Sequence, residues 1–199
     1  MEKLEPGSLA LFFSGSPVRK TADEDYGYFA NRNFVYLTGM EQKDTVLMME
    51  KDASGYRETL FILPPNLIEE RWTGSRMKPE EIEAVSMISS FAYKETFEEE
   101  LKKVLTSGRI QKVYLDIDRM EGQVVGSAAD SMEAFLKQEY PSMPIENSLP
   151  IMKMLRLIKK PCEIRAMEKA QEITKAGILA MMTHSKPGMY EYQYKAEYD

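Results

Sequence analysis

Residues 33–63 read NFVYLTGMEQKDTVLMMEKDASGYRETLFIL, and the order of apolar runs in this stretch sets the expected fold. In residues 33–38, Phe34 and Tyr36 alternate with Val35 and Leu37, which predicts a strand covered on both faces that stops at Gly39. TVLMM at 45–49 and TLFIL at 59–63 are the next strand candidates. The separator KDASGYRE carries Ser-Gly turn chemistry and predicts a hairpin with a moderately long loop. Three strands in quick succession imply a meander, largely antiparallel. Pro64 and Pro65 close it, because proline cannot donate to a β ladder. Upstream, LALFF at 9–13 follows a Pro-Gly turn signal and has the length of a strand.

From Pro79 the period changes. PEEIEAVSMI opens with proline and two glutamates, a favourable first turn because carboxylates face the positive end of a helix. TFEEELKKVL at 96–105 repeats the logic, with Thr96 as N-cap and Glu99 completing a capping box. KVYL at 112–115 predicts a further strand, and residues 127–140 have helical spacing through Met132, Phe135 and Leu136. Helices interleaved with strands after a meander predict an α/β fold with a mixed β-sheet flanked by helices. PSMPIENSLP, with prolines at 141, 144 and 150, is the best linker candidate. The expected domains are therefore 1–153 and 154–199.

The second of these opens on the longest helical pattern, residues 161–182. Ile164, Met167, Ala170, Ile173, Gly177 and Met181 recur at spacings of three and four, with Pro161 and Glu163 in the first turn. A further helix begins in YEYQYKAEYD at 190–199 without a terminating glycine, basic last turn or following proline. The expectation is a chain cut from something longer.

Composition narrows the function classes. The 199 residues carry 26 Lys plus Arg against 32 Asp plus Glu, a net charge of −6. That balance disfavours nucleic-acid binding, which needs clustered cations to neutralise phosphates. With 43% hydrophobic and 29% charged residues the chain has a globular composition. Neither a signal-type apolar segment in the opening MEKLEPG nor an apolar run of membrane-spanning length is present, so no membrane is implied and the cytoplasm is the expected compartment. A single Cys and a single His leave little material for nucleophilic or zinc chemistry. Function is then carboxylate-based, or binding, or divided with residues beyond these.

The individual candidates favour structural readings. Asp116 and Asp118 in YLDID form a DxD pair with no third carboxylate nearby in sequence, so solvated strand-end aspartates are expected rather than a cation site. The glutamates at 80–83 and 98–100 read as solvated first turns. Cys162 lies in a helix's first turn, but nothing beside it suggests a catalytic base. His184 reads as a helix-end imidazole.

DEDYGYFANRNFVYLTG at 23–39 reads, on residues alone, as an acidic turn, an aromatic pair at Tyr26 and Tyr28, Asn31 and a packed strand ended by glycine. The same stretch resembles the amino-terminal domain of Xaa-Pro aminopeptidases: an acidic residue, Tyr, an Asn, then an aromatic-rich segment ending in Leu/Phe-Thr-Gly. FILPPNLIEERWTGSRM at 61–77 is similar to the family's strand, proline turn and Trp-x-Gly-x-Arg segment. MLRLIKKPCEIRAMEKAQEITKAGILAMMTHSKPGMYEYQYKAE at 154–197 is similar to its entry into the catalytic domain. The three segments are co-linear and span nearly the whole chain.

The resemblance implies a creatinase/prolidase-type amino-terminal domain followed by the first helices of a truncated pita-bread domain. It also implies two divalent ions, usually manganese, in the full enzyme, held by two Asp, one His and two Glu and generating a bridging hydroxide that attacks the bond before proline. The matching segments end before any of those ligands, and residues 157–184 contain no Asp, so this stretch is expected to supply no catalytic residue, no metal ligand and no cofactor site. Its implied partners are further copies of itself, as a dimer or tetramer, and proline-containing peptides bound by the other domain. Trp72, the single tryptophan, has two readings: a partly buried loop aromatic, or, as in oligomeric members, a residue that reaches a neighbouring subunit's active site and walls its substrate pocket. A non-enzymatic scaffold of the same fold, or a prolidase or creatinase relative, remains the alternative.

Overall fold

The computed structural model describes residues 3–119 and 126–199, so Met1 and Glu2 of the opening segment lie outside the described residues. The first strand, β1 (Ser8–Phe13), is buried along almost its whole length, as a central strand with both faces covered must be. Residues 33–38, expected as a strand, are instead helix α1 (Arg32–Thr38). The side-chain oxygen of Asn31 accepts from the N–H groups of Asn33 and Phe34 at 2.8 and 3.0 Å, two donors that the first turn of a helix leaves open. At the other end Gly39 takes a left-handed φ of 71° and donates to the Val35 carbonyl, ending the helix. Capping at both ends outweighs the β-propensity of Phe, Val and Tyr. Phe34 and Thr38, one turn apart, are then buried, with Asn33 beside them.

The meander runs through β1, β2 (Val46–Asp52) and β3 (Gly55–Ile62), each antiparallel to its predecessor. Its second connection is tighter than expected: pairing continues to Asp52↔Gly55, leaving only Ala53 and Ser54 in the turn. The Asp52 carboxylate accepts from the N–H groups of Ser54 and Gly55 at 2.8 and 3.1 Å, which closes the turn so early that the polar residues on either side join the ladder.

After β3 the chain forms α2 (Leu67–Thr73) and α3 (Pro79–Ser86) and returns as β4 (Phe91–Tyr93), parallel to β3. The next crossover is α4 (Phe97–Thr106), leading to β5 (Lys112–Leu115) beside β1. The capping box expected at Thr96 does not form. A 3-10 turn at Lys94–Thr96 precedes the helix, so Thr96 already has a helical backbone and its hydroxyl donates back to the Tyr93 carbonyl. Then α5 (Ala128–Glu139) leads to β6 (Ile145–Asn147), parallel to β5, and α6 (Leu149–Leu157) follows at once. PSMPIENSLP, expected as a linker, is therefore an edge strand and a helix start: its three prolines fall outside the three residues that pair.

The six strands lie in the order β4-β3-β2-β1-β5-β6, a mixed sheet in which only β2 runs against the rest. Alternation along the strands feeds two cores. Leu9, Leu11, Val46, Met48 and Phe61 meet Phe97, Leu101 and Leu105 of α4 and Leu136 of α5. Ala10, Phe12, Leu47, Leu60 and Ile62 meet Phe34 of α1, Ile82 of α3 and Met152 of α6. Helices thus cover both faces of the sheet.

The chain forms two compact units, Met1–Lys153 and Met154–Asp199. In the second, α7 (Pro161–His184) starts with proline at its first position and with the Glu163 carboxylate accepting from the Lys160 N–H at 2.8 Å. Helix α8 (Glu191–Tyr198) packs on α7 at Gly177, where a Cβ would come within 2.8 Å of the Tyr198 ring. Of the expected apolar stripe, Gly177 is buried, whereas Ile164, Met167 and Ile173 stand exposed.

Candidate functional site

Trp72 sits on α2, a two-turn helix with no buried residue. Its indole is 88% exposed, and Leu67 and Ile68 beside it are 79% and 78% exposed. The sequence builds this display rigidly. Asn66 caps the helix by accepting from the N–H groups of Ile68 and Glu69, and the Glu70 carboxylate accepts in turn from the Asn66 N–H at 2.8 Å. Glu69, within the same helix, accepts from Lys43 at 2.9 Å and from Arg76 at 2.5 Å. The Arg76 guanidinium also donates to the Pro64 carbonyl. The Lys43 hydrogen bond is the main reason the Glu69 carboxyl is held below the usual carboxylate range. Two cations and a cap therefore tie down an apolar knob that contributes nothing to the core.

Behind α2 the chain leaves a cleft of about 230 Å³ lined by Glu41, Gln42, Lys43, Leu63, Arg76 and Met77, among others. Gln42 is fixed in orientation because its Oε1 accepts from the Met77 N–H at 3.3 Å. Its Nε2 is buried without a hydrogen-bond partner. Sequence reasoning missed this group; its signal was the Arg of the Trp-x-Gly-x-Arg segment, which pairs with Glu69 seven residues before it, while Lys43 and Gln42 join the group from 26 and 35 positions away in the chain.

The residues of 23–39 are largely fold-makers. The Tyr28 phenol donates to the Ser14 carbonyl at 3.1 Å, and burial pushes its pKa upward. Asn31 caps α1, and the Thr38 hydroxyl donates to the Phe34 carbonyl while accepting from the Met40 N–H. Asp116, expected to be solvated, is 5% exposed. It lies just past β5, and its carboxylate accepts from the Asn33 amide at 2.8 and 3.0 Å. The correction has a physical cause: α1 brings a donor from 83 residues away to the strand end, which no local spacing reveals. Asp118 is exposed, as expected.

His184 is the last residue of α7, and its Nδ1 contacts the Glu197 carboxylate of α8. Cys162 is exposed in the first turn of α7. Among the described residues, no three His, Cys, Asp or Glu side chains converge as a metal would require, and no helix is long and apolar enough to cross a membrane.

The model of the aminopeptidase P amino-terminal domain matches residues 1–114. The chain belongs to that family. Among aminopeptidase P relatives, the Xaa-Pro aminopeptidase of Escherichia coli K12 is 28% identical over 207 aligned positions, covering 99% of this chain and 45% of that protein. Human Xaa-Pro aminopeptidase 3 is 25% identical, covering 85% of this chain and 34% of that protein. Solved structures agree. A Bacillus anthracis protein assigned to aminopeptidase P superposes with a TM-score of 0.92 at 29% identity, over 100% of this chain and 47% of that one. Escherichia coli aminopeptidase P with the inhibitor Pro-Leu gives 0.81 at 25% identity, over 99% of this chain and 45% of that one. This aminopeptidase P domain chain thus spans between a third and a half of the length of these relatives.

Proposed function

We propose that the chain is the amino-terminal, non-catalytic part of a metal-dependent Xaa-Pro aminopeptidase. In this reading residues 1–153 form the amino-terminal domain, and residues 154–199 begin a pita-bread catalytic domain. The observation that carries it is co-linearity: 99% of the chain aligns with a protein named Xaa-Pro aminopeptidase. The donors described here do not fit a two-ion centre, since the one imidazole is engaged with Glu197 and no acidic cluster converges. No step of the reaction is therefore assigned to this chain, and the two ions, manganese by family resemblance, belong to the portion of the relatives it does not cover.

The exposed apolar residues of α7 support the same reading, because a helix with Ile164, Met167 and Ile173 in water gains stability when further chain covers it. Trp72 is the proposed contribution to substrate access. Held outward by Asn66, Lys43 and Arg76, it reaches a neighbouring subunit in a cytoplasmic homo-oligomer and walls the pocket for a proline-containing peptide. The test is manganese-dependent release of the first residue from an Xaa-Pro peptide by the longer protein that carries this chain. Release from Xaa-Pro but not from the matched Xaa-Ala peptide is expected; no release from either contradicts the proposal.

A further inference from the structure

The sheet ends on two three-residue strands, β4 and β6, and the sequence treats these two edges differently. An edge strand offers its outer N–H and C=O groups to any strand that can reach them, and chains ordinarily blunt it with proline or charge. β6 is flanked by Pro144 and Pro150 and carries Glu146, which Lys112 holds at 3.1 Å. β4 contains no proline and no charge. Its Ala92 packs on the core beside α4, so Phe91 and Tyr93 lie together on the other face, where they are 37% and 47% exposed. The adjoining cation, Lys94, is drawn back over the Phe97 ring, 4.4 Å from its centroid.

The Leu60 N–H donates to the Ser90 carbonyl at 2.9 Å, and Leu60 lies in register with Phe91. In a parallel ladder that register turns the backbone groups of Ser90 and Ala92 toward β3 and those of Phe91 and Tyr93 outward. Among the described residues no strand lies beyond them. The Thr96 hydroxyl takes one lone pair of the Tyr93 carbonyl and leaves the other. We infer that this edge pairs with the β4 edge of a second copy of the chain, antiparallel about a two-fold axis at Ala92. That register sets Phe91 opposite Tyr93 of the second copy and Tyr93 opposite its Phe91. The outward groups then match, each pair exchanging two N–H···O bonds, and the aromatic rings form two cross-strand pairs on one face. Beyond them Ser90 meets Lys94 and Ser89 meets Glu95, so no like charges oppose one another. Such a contact is isologous and closes at two copies. Two three-residue strands bury far less than the roughly 1,600 Å² of a standard interface, so the dimer is a weak one, populated from roughly 100 μM upward. The inference does not depend on the longer protein being a peptidase, nor on the role of Trp72.

The test uses the 199-residue chain from about 10 μM to about 1 mM. Sedimentation equilibrium is expected to show a reversible monomer–dimer equilibrium. Hydrogen exchange at the Phe91 and Tyr93 amides is expected to slow at least about threefold across that range, with the Ile145 and Asn147 amides of the other edge unchanged. A charge exchange separates loss of pairing from loss of fold. The variant with Phe91→Lys and Tyr93→Lys, and the variant with Phe91→Glu and Tyr93→Glu, each set like charges opposite one another and are expected to stay monomeric, whereas their equimolar mixture dimerises. A wild-type chain that is monomeric at the highest concentration, a dimer whose Phe91 and Tyr93 amides exchange as fast as in the monomer, or a dimer that persists in either variant alone would each overturn the inference. So would two folded variants whose mixture stays monomeric. The exchange measurement on the wild-type chain decides the matter even where the variants fold poorly.

Discussion

Asn33 and Asp116 show how one pair of side chains can hold a segment in an unexpected conformation. The carboxylate lies buried just past β5, and each of its oxygens accepts from the side-chain amide of Asn33 on α1. Removing that amide takes a donor away from a buried carboxyl group, which costs more than the net worth of the bond itself. Asn33→Ala is expected to destabilise the first unit by about 2–4 kcal/mol, read from urea unfolding; a change below about 0.5 kcal/mol would show that water or other groups solvate Asp116 equally well. Neither residue was legible as a partner in the sequence, because Asn33 reads as a strand residue and Asp116 as a strand-end acid. Trp72 differs: as the single tryptophan in a Trp-x-Gly-x-Arg segment it could be singled out, and the structure places it in solvent. In the longer protein, Trp72→Ala is expected to lower kcat/KM for Xaa-Pro peptides by about tenfold and leave the melting temperature unchanged. An unchanged kcat/KM would remove its role in substrate access.

Among the elements, α1 and α2 are both short helices whose caps decide them. In each, an Asn side chain accepts from two backbone N–H groups, and a glycine stops the helix. That chemistry was visible in the letters NRNFVYLTG, but the alternation of aromatic and aliphatic residues pointed equally to a strand. A helix of two turns buries too few positions for its period to stand out. At α2 the Lys43–Glu69–Arg76 cluster replaces burial as the anchor. The folded-state pKa of Glu69 is depressed, so its contribution is present above the unfolded carboxylate pKa and is lost as pH falls through the folded value. Trp72, being the sole tryptophan, reports this directly: its fluorescence anisotropy is expected to fall on acidification below the ordinary Glu range, with far-ultraviolet dichroism nearly constant. Constant anisotropy through that range would show that other contacts hold α2. In the second unit, α7 and α8 meet where Gly177 admits the Tyr198 ring. Gly177→Ala is expected to raise amide exchange in α8 by about tenfold while the first unit's unfolding midpoint stays fixed. The spacing of α7 marked position 177 as inward-facing, although α8's contribution to covering it could not be read.

For the whole molecule, the legible features were those carried by long apolar runs and proline punctuation. The strands β1, β2, β3 and β5 have the runs and α3 and α7 the proline starts, while α4 and α5 were readable from an acidic first turn and from helical spacing. What escaped reading has a common cause. The strands β4 and β6 pair over only three residues each, at the two edges of the sheet, so neither length nor alternation betrays them. The cleft at Gln42 depends on residues from three separate segments, and its defining property, a donor without a partner, exists only once the chain is folded. Family membership was legible for the opposite reason: the aminopeptidase P pattern is spread along the chain as caps, turns and a single Trp, features that sequence records directly. In the proposed reading this chain is a structural and access-shaping domain, and the chemistry resides elsewhere in a longer Xaa-Pro aminopeptidase. Its most direct test is peptide hydrolysis by the isolated 199-residue chain and by the longer protein, side by side with manganese and an Xaa-Pro peptide. Product from the longer protein and none from the isolated chain is the predicted result; Xaa-Pro cleavage by residues 1–199 alone would contradict it.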